Sequence, residues 1–480
     1  MSIRQRTRAR DAVGGCFLIG LACMVPVAAP AGGIADRITS VETALSGAFE
    51  DDRRSWCLWG LCSHGPRLYH VPRGDGTVLV GWTDAESSGH VTVVGGDGAV
   101  EATFDFPEGL LRGLVAHDDG SFAVLLLDEG GAGIDDDVMR LSRRNAGGGE
   151  EWSVDVTGPN TIPNTSSRIA PGDSRLAYGN SVYGAYVSVH GISEFMAGHE
   201  GDAYTRVNDE GEILAGGWEW GLSHSMSIVA GFHPETDTIH TYGVSDCYPH
   251  KGLHTGRKTT VVPHEGNCGG LTSMELGQMA AIAGGGWLVV FAAEQRAGHA
   301  GKGIGVVRHH SGSADPIWLT DTDGSNERDP VLARIGKSPG SNRFLVGWRT
   351  VDESAFVLGI IDTTGSFVEA VETVSPSVGW GRRNDSFRTA PDGSVTWVEA
   401  GEDGKSIRLH RFRDGASVLD ESPGKRLDGY RRSGSLAKVF DMRGRKVRGG
   451  LGCEHAGVVV VVTGEGRYGV VRSRRVGIGR

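Results

Sequence analysis

Hydrophobic and polar positions along the chain alternate in short groups. Four to six β-forming residues follow a Gly/Asp turn, a polar loop comes next, and a second group of β-formers leads to another turn, as in DGTVLVGWTDAESSGHVTVVGGDG at 75–98 and SNRFLVGWRTVDESAFVLGIIDTTG at 341–365. Short apolar runs bounded by turn residues predict β-hairpins. No stretch keeps an apolar i, i+3, i+4 stripe for three turns, so the pattern predicts an all-β chain with almost no helix.

The hairpins recur at a blade-sized period. Their first strands are marked by residues that lie 44 to 63 residues apart: Val78, Phe122, Leu176, Ile228, Trp287, Phe344, Val395 and Val458. A hairpin cannot bury both faces alone, so repeats of this length stack radially, and closure of the ring removes exposed strand edges. The hairpin at 457–472 lacks an outer strand after it, and the segment 35–50 could supply one.

Two of the strands carry the repeat most clearly. They read GWLVVF at 286–291 and FLVGW at 344–348, and the chain contains 76 glycines for its turns. This repeat resembles the degenerate β-propellers of secreted bacterial proteins over most of residues 65–475. The resemblance implies an architecture and no activity. We therefore expect one β-propeller over residues 32–480 with eight blades, or seven if the first or last hairpin is irregular.

The first 31 residues predict a secretory signal. Four arginines precede the apolar stretch CFLIGLACMVPVAAPA, which ends on the small residues of Ala29-Pro30-Ala31. These are the regions of a cleaved signal peptide. A lipoprotein anchor through Cys16 or Cys23 is the less favoured alternative, because Gly20 stands where such sites usually have Leu. No later run reaches about 18 apolar residues, so we expect a secreted or periplasmic monomer without a transmembrane segment.

Charge is distributed unevenly along the chain. The formal net charge is −11, yet residues 424–480 hold 14 Lys/Arg against 4 Asp/Glu, a local net charge of 14 − 4 = +10. Pairing of this basic C-terminal segment with the acidic remainder is favoured over a polyanion-binding surface. We predict no nucleic-acid partner.

Five cysteines follow the signal. An oxidising compartment favours disulfides, and Cys247 and Cys268 close a 22-residue segment in a turn-rich region. We predict that these two are bonded. Cys57 and Cys62, in WCLWGLC, either pair with each other or one of them reaches Cys453.

Histidine is concentrated in one part of the chain. Eight of the 17 histidines fall in residues 190–264. This region overlaps two segments, 188–226 and 243–273, that are longer and more polar than the repeat requires. Insertions on repeat architectures usually sit on one face and often carry function. We therefore expect a His-rich loop insertion, in which most single histidines are ordinary structural residues.

A His-Glu-Gly-Asx unit occurs twice in this region, as GHEGD at 198–202 and PHEGN at 263–267. Imidazole and carboxylate bind Zn²⁺ and similar divalent ions, and a metal-bound water or a His beside an Asp is a usable base. We predict one polar metal site at a channel mouth, with Glu265 and His190 as further candidates. Its ligands are His199, Glu200, Asp202, His224 and His264.

Two other stretches suggest ligands. Trp218, Trp220 and His224 in GWEWGLSHSM could form a sugar-stacking platform, although tryptophan at a strand end is more often part of a core. DTDGSNERD at 321–329 could bind Ca²⁺, but it lacks the spacing of an EF-hand loop.

No catalytic signature is present. The chain has no G-x-S-x-G elbow, phosphate loop, dinucleotide fingerprint or HExxH pair. The sequence therefore favours an exported binding or scaffold module for a polar ligand, a glycan or a surface protein, with a possible Zn²⁺ or Ca²⁺ site. The alternative is a metal- or His/Asp-dependent hydrolase or lyase acting on a polysaccharide.

Overall fold

A computed structural model describes residues 32–415, apart from the gaps at 50–55, 59–60, 64–67, 129–137, 158–166, 192–199, 220–226, 246–250, 257–258, 265–273, 295–300, 321–325, 339, 351–354, 382–384 and 402, and three short strands beyond them. Only the backbone is described at 56–58, 61–63, 167–173, 188–191, 200–202 and 217–219. The chain divides into two compact units, 1–417 and 418–480.

Seven antiparallel four-stranded sheets make up the first unit. In blades 1 to 3 the strands run in chain order from one edge of the sheet to the other. They are β4 (Leu68–Pro72), β5 (Val78–Thr83), β6 (Gly89–Val94) and β7 (Val100–Phe106); β8 (Leu110–Ala116), β9 (Phe122–Asp128), β10 (Val138–Arg144) and β11 (Glu150–Asp155); and β12 (Ser167–Gly179), β13 (Val182–Gly191), β14 (Glu200–Asn208) and β15 (Ile213–Glu219).

Blades 4 to 6 follow the same order. They are β16 (Ile228–His233), β17 (Thr238–Ser245), β18 (Gly252–Thr255) and β19 (Thr259–Pro263); β20 (Glu275–Ile282), β21 (Gly286–Glu294), β22 (Lys302–His309) and β23 (Ile317–Trp318); and β24 (Arg328–Arg334), β25 (Phe344–Arg349), β26 (Phe356–Ile361) and β27 (Phe367–Val374). Two short 3₁₀ helices, Ala35–Arg37 and Pro376–Val378, are the described helical elements, and among the described residues no helix is long and apolar enough to cross a membrane.

Blade 7 combines the two ends of the unit. Its strands are β28 (Arg388–Thr389), β29 (Val395–Ala400), β30 (Ser406–Phe412) and, as the outer strand, β1 (Ile38–Ala44) from the start of the chain. The first strand of each blade contacts the first strand of the next, and β28 contacts β4, so the ring is closed. The seven blades define the first unit as a β-propeller.

The number of blades corrects the sequence expectation of eight. The markers from Val78 to Val395 each fall in a different blade, but Val458 begins a strand of the second unit, in the three-stranded sheet of β31 (Lys438–Phe440), β32 (Val458–Val462) and β33 (Tyr468–Arg472). Segment 35–50 does supply an outer strand, but its partner is β30, with Ile38 opposite Phe412. The last hairpin has the local pattern of a blade, and pattern alone cannot show which hairpins enter the ring.

Apolar packing follows the ring. Seven clusters of buried side chains occur, one between each pair of adjacent blades. The glycine of the V-G-W repeat permits this close approach. A Cβ at Gly347 would lie 2.8 Å from the ring of Trp380 in the connection to blade 7, and a Cβ at Gly81 would overlap Leu111 of blade 2. The smallest described cluster lies between blades 3 and 4.

Buried ion pairs reinforce the closure. Arg37, just before β1, pairs with Glu369 of blade 6 and lies 3.1 Å from Asp414, just after β30. Arg343 joins the same two carboxylates and approaches Asp414 to 2.7 Å. The side chain of Asp414 is only 1% exposed, so the network acts where solvent screening is weak.

The turns confirm the predicted Asp-Gly chemistry. In Asp75-Gly76-Thr77, the carboxylate accepts from the Thr77 backbone N–H at 3.0 Å and from its hydroxyl at 2.7 Å, while Gly76 has φ of 92°. The same bonds form at Asp119-Gly120-Ser121 and Asp392-Gly393-Ser394. Glycine is required because other residues rarely adopt positive φ.

The topology gives the ring two faces. The first strands begin at what we call the loop face, which carries the connections between second and third strands and those between blades. They end at the turn face, which carries the connections between first and second strands and between third and fourth strands.

A separate two-stranded sheet consists of β2 (Trp56–Leu58) and β3 (Leu61–Ser63). Its register places Cys57 directly opposite Cys62.

Candidate functional site

The first strands of the blades line the central channel, and four of them break their pairing register. The shifts fall at Arg112 in β8, between Ile169 and Ser174 in β12, at Gly277–Gln278 in β20 and at Asp329–Pro330 in β24. A bulge leaves its extra residue unpaired and redirects the side chain. Polar residues at these bulges are therefore candidates for the channel interior.

Arg175 of blade 3 and Asp385 of blade 7 meet across the channel. The Arg175 Nε lies 3.9 Å from Asp385 Oδ2, and their side chains are 6% and 5% exposed. Arg388 donates from Nη2 to the same oxygen at 2.8 Å. One carboxylate thus joins two guanidinium groups that belong to different blades.

Gln278 holds the segment that carries Asp385. Its Oε1 accepts from the backbone N–H of Phe387 at 3.2 Å and of Leu332 at 3.4 Å, and its Nε2 donates to the Phe387 carbonyl. These bonds connect blades 5, 6 and 7. They explain why β28 is only two residues long: the chain before Arg388 bonds to residues across the channel instead of to β29.

A cavity of about 240 Å³ lies beside this cluster. Its wall comes from the first strands of blades 4 to 7, and Gln278, Arg334, Asp385 and Arg388 supply the main polar side chains. The lining runs from the middle of these strands to their ends, so the cavity occupies the half of the channel nearer the turn face. Burial, and then the charge of Arg175, lower the pKa of Arg388 to about 10. About a third of its side chain is exposed.

Through its backbone, Arg112, the bulge residue of β8, lies next to the part of β12 that carries Arg175. Its carbonyl accepts from the Ser174 hydroxyl at 2.7 Å, which aligns it with Arg175, the next residue. The side chain of Arg112 is buried, with the residue only 7% exposed, and its Nε has no hydrogen-bond partner within the described part of the chain.

A carboxyl pair stands at the loop-face end of blades 5 and 6. Glu275 Oε1 accepts from the Asp329 backbone N–H at 2.7 Å, and the Asp329 carboxylate lies 3.1 Å from Arg349 Nε. Burial and the charge of Asp329 raise the pKa of Glu275 to about 7. Glu275 can therefore keep its proton near neutral pH.

Several residues of the predicted site lie outside the described residues: His199, Trp220, His224, Cys247, Glu265 and Cys268. Glu200 and Asp202 begin β14, Trp218 lies near the end of β15, and His264, whose backbone N–H donates to the Lys251 carbonyl at 2.9 Å, directly follows β19.

Strand register adds pairs to this predicted site. His190 is directly opposite Glu200, and Asp202 is directly opposite Glu219. Because Glu200 and Asp202 are two residues apart in one strand, all four positions share one face of the sheet. In the region where side chains are described, no group of three or more His, Cys, Asp or Glu residues forms a metal site. Asp321 and Asp323 of the suggested Ca²⁺ turn lie outside the described residues, and Asp329 pairs with Arg349.

Other histidines of the rich segment have structural contacts. His233 Nε2 bonds to the carbonyls of Ile282 and Gly286 at 3.1 Å, which links blades 4 and 5. His240 stacks on Trp287 and bonds to Thr255. Burial, with the charges of His309 and His233, lowers the pKa of His240 to about 4. Part of the histidine excess therefore serves blade packing.

The sequence reasoning missed the channel cluster. Its only local signal is a polar residue inside an apolar strand, as with Arg112 in LLRGLVA and Gln278 in ELGQMAAI. The interruption is visible in the sequence, but the partners are far apart along the chain.

No known protein family and no curated protein matches the chain. Among solved structures it is similar to the Dos1 propeller, with 12% identity, a TM-score of 0.41, and coverage of 77% of this chain and 83% of that one. It is also similar to the β-propeller domain of the Trilobed protease from Pyrococcus furiosus (8% identity, TM-score 0.40, 72% and 94% coverage). An α-L-arabinofuranosidase from Fusarium graminearum gives 10% identity, a TM-score of 0.39 and 77% and 97% coverage. At these values the likenesses carry no information on activity.

Proposed function

We propose that the protein is an exported, non-catalytic β-propeller module that binds a polar ligand, a glycan or a surface protein, at the loop face of blades 3 and 4. The supporting observation is the strand register, in which His190 is opposite Glu200 and Asp202 is opposite Glu219 at one end of one sheet face. Of the other predicted residues, Trp218 near the end of β15 and His264 directly after β19 lie at the same face.

A divalent ion is part of this proposal. Neighbouring positions across strands lie about 5 Å apart, close enough for imidazole and carboxylate groups to share one ion at bond lengths of about 2 Å. The last three residues of the GHEGD unit, Glu200 to Asp202, are the first residues of β14, and the PHEGN unit begins at Pro263, the last residue of β19 in the next blade. A Zn²⁺ or Ca²⁺ ion there would orient polar groups for ligand binding.

The test compares wild-type protein with the double variants His199→Ala/His264→Ala and Glu200→Gln/Asp202→Asn. Calorimetric titration with Zn²⁺ and Ca²⁺ should show loss of a stoichiometric site in both variants, with little change in melting temperature. His90→Ala is the matched control, because His90 contacts Asp84 and Asp105 on blade 1. Unchanged metal binding in both double variants would remove the ion from the proposal. If wild-type protein binds nothing in a panel of glycans and cell-surface material, the proposal of a binding module is wrong.

A hydrolase is the second candidate, and the Glu275–Asp329 pair favours it. In such a reaction Glu275 would donate its proton to the leaving glycosidic oxygen as the C–O bond breaks. The water whose oxygen bonds to the sugar carbon would release its proton to solvent, because Asp329 contacts Glu275 directly and the acid and base of an inverting pair lie about 6.5 to 9.5 Å apart. Turnover on a glycan panel that Glu275→Gln abolishes would support an enzyme. Glu327→Gln is the control, since Glu327 is another buried carboxyl with a raised pKa; turnover lost equally in both variants would argue against a specific acid.

A further inference from the structure

Arg112 stands at the bulge of β8, a strand that lines the channel, and within the described residues its buried Nε has no hydrogen-bond partner. Its carbonyl bonds to Ser174, the residue before Arg175, and Asp385 contacts both Arg175 and Arg388. A buried cation without a counter-charge is costly, and proteins normally pair it.

Arg112 is the arginine of this group for which no counter-charge is described. Within the described residues its buried Nε has no acceptor and its guanidinium has no ion pair. Its neighbours in β8 are apolar and buried, so the strand itself offers no counter-charge. Arginine has five donors in a planar fork that matches carboxylate and phosphate oxygens.

The cavity that Asp385 and Arg388 help to line sets the size of the group that can enter. At about 240 Å³ it is smaller than most pockets for drug-sized ligands, which hold about 300 to 1,000 Å³. It therefore suits a small oxyanion or the charged end of a larger molecule. Asp385 already shows that a carboxylate fits against Arg175 and Arg388.

We propose that the central channel binds an oxyanion, a carboxylate or a phosphate, through Arg112, Arg175 and Arg388, in competition with the carboxylate of Asp385. This site lies inside the ring, away from the loop-face segments of blades 3 and 4, and does not rest on the function proposed for them. The chemistry shared by the possible ligands is a delocalised negative charge on two or more oxygens.

The test measures melting temperature and calorimetric binding of the full mature chain with two probes, inorganic phosphate and glucuronate, against potassium chloride at equal ionic strength. Wild-type protein should be stabilised by at least one probe, because a ligand that binds only the folded state raises its stability. The two probes distinguish a phosphate site from a carboxylate site. Arg112→Met should lower affinity about tenfold or more and, without probe, raise the melting temperature by removing an unpaired buried charge.

Asp385→Asn should change probe affinity in the opposite direction to Arg112→Met. Loss of the competing carboxylate should strengthen probe binding, whereas a purely structural cluster would only be destabilised. Arg408→Gln is the control, since Arg408 pairs with Glu399 on the outer part of blade 7, and it should change nothing. Either of two results would overturn the proposal. In the first, neither wild type nor Asp385→Asn is stabilised by a probe more than by potassium chloride. In the second, Arg112→Met binds the probe as well as wild type does. If Arg112→Met does not fold, weaker binding in Asp385→Asn than in wild type is sufficient to reject it.

Discussion

Arg175 and Asp385 approach to 3.9 Å across the channel, although they belong to blades 3 and 7 of the ring. Blades that are not neighbours share no strand edge, so side chains in the channel are the means by which they contact each other. The hydrogen bonds of Gln278 to Phe387 are a second contact of this kind. The channel interior therefore couples the blades beyond the apolar clusters between neighbours.

Gln278→Ala should destabilise the protein. The change leaves the N–H and C=O of Phe387 and the N–H of Leu332 without their partner in a buried place, and each unsatisfied group costs about 1 to 3 kcal/mol. We expect a loss of about 2 to 4 kcal/mol in the free energy of unfolding, measured by urea denaturation. Thr238→Ala, at an exposed position of β17, is the control. A loss below about 0.5 kcal/mol would show that water replaces the glutamine.

Arg37→Ala should weaken ring closure. Removal of one partner from a buried ion pair costs about 3 to 5 kcal/mol, and here Asp414 keeps Arg343, so we expect about 2 to 3 kcal/mol. Thermal melting measures the loss, and increased proteolysis within β1 locates it. Arg73→Ala removes an ion pair at 3.6 Å with a half-exposed Asp75 and should cost under about 1 kcal/mol. Equal losses in the two variants would contradict the closing role.

Acid should destabilise the interface between blades 4 and 5. The pKa of His240 is about 4 in the folded state against an ordinary value of 6.5, so the unfolded state binds the proton first. The contribution of His240 is therefore complete above pH 6.5 and is lost as pH falls towards 4. We expect His240→Gln to remove about 1 to 2 kcal/mol of this dependence. Comparison of the two proteins at pH 8 isolates the packing change, and parallel pH curves would refute the assignment.

Cys247 and Cys268 should form a disulfide in exported protein. Both cysteines lie outside the described residues, and the prediction rests on the 22-residue segment that they close in a turn-rich part of the sequence. A loop of this length contributes about 3 kcal/mol in the chain-entropy model. Peptide mapping without reductant should recover the linked peptides, and free thiols at both positions would contradict the prediction. The same map tests Cys57 with Cys62, whose positions face each other in the hairpin.

Local features of the sequence determined much of this structure. Short apolar runs and Asp-Gly-Ser/Thr turns predict strands and hairpins correctly, because strand alternation and turn hydrogen bonds involve residues only a few positions apart. The period placed seven of the eight hairpin markers in seven different blades. Some of the predicted site residues, His199 and His224 among them, lie outside the described residues, and their roles stay predictions.

The tertiary structure decided which hairpins form the ring and what meets inside it. VVVVV at 458–462 looks like a blade strand, yet β1 pairs with β30 and closes seven blades. Arg112, Arg175, Gln278 and Asp385 are single polar residues far apart in the chain, and no short-range pattern connects them. Ring membership and channel contacts depend on pairings between distant segments, and those pairings are set by the packing of all blades together.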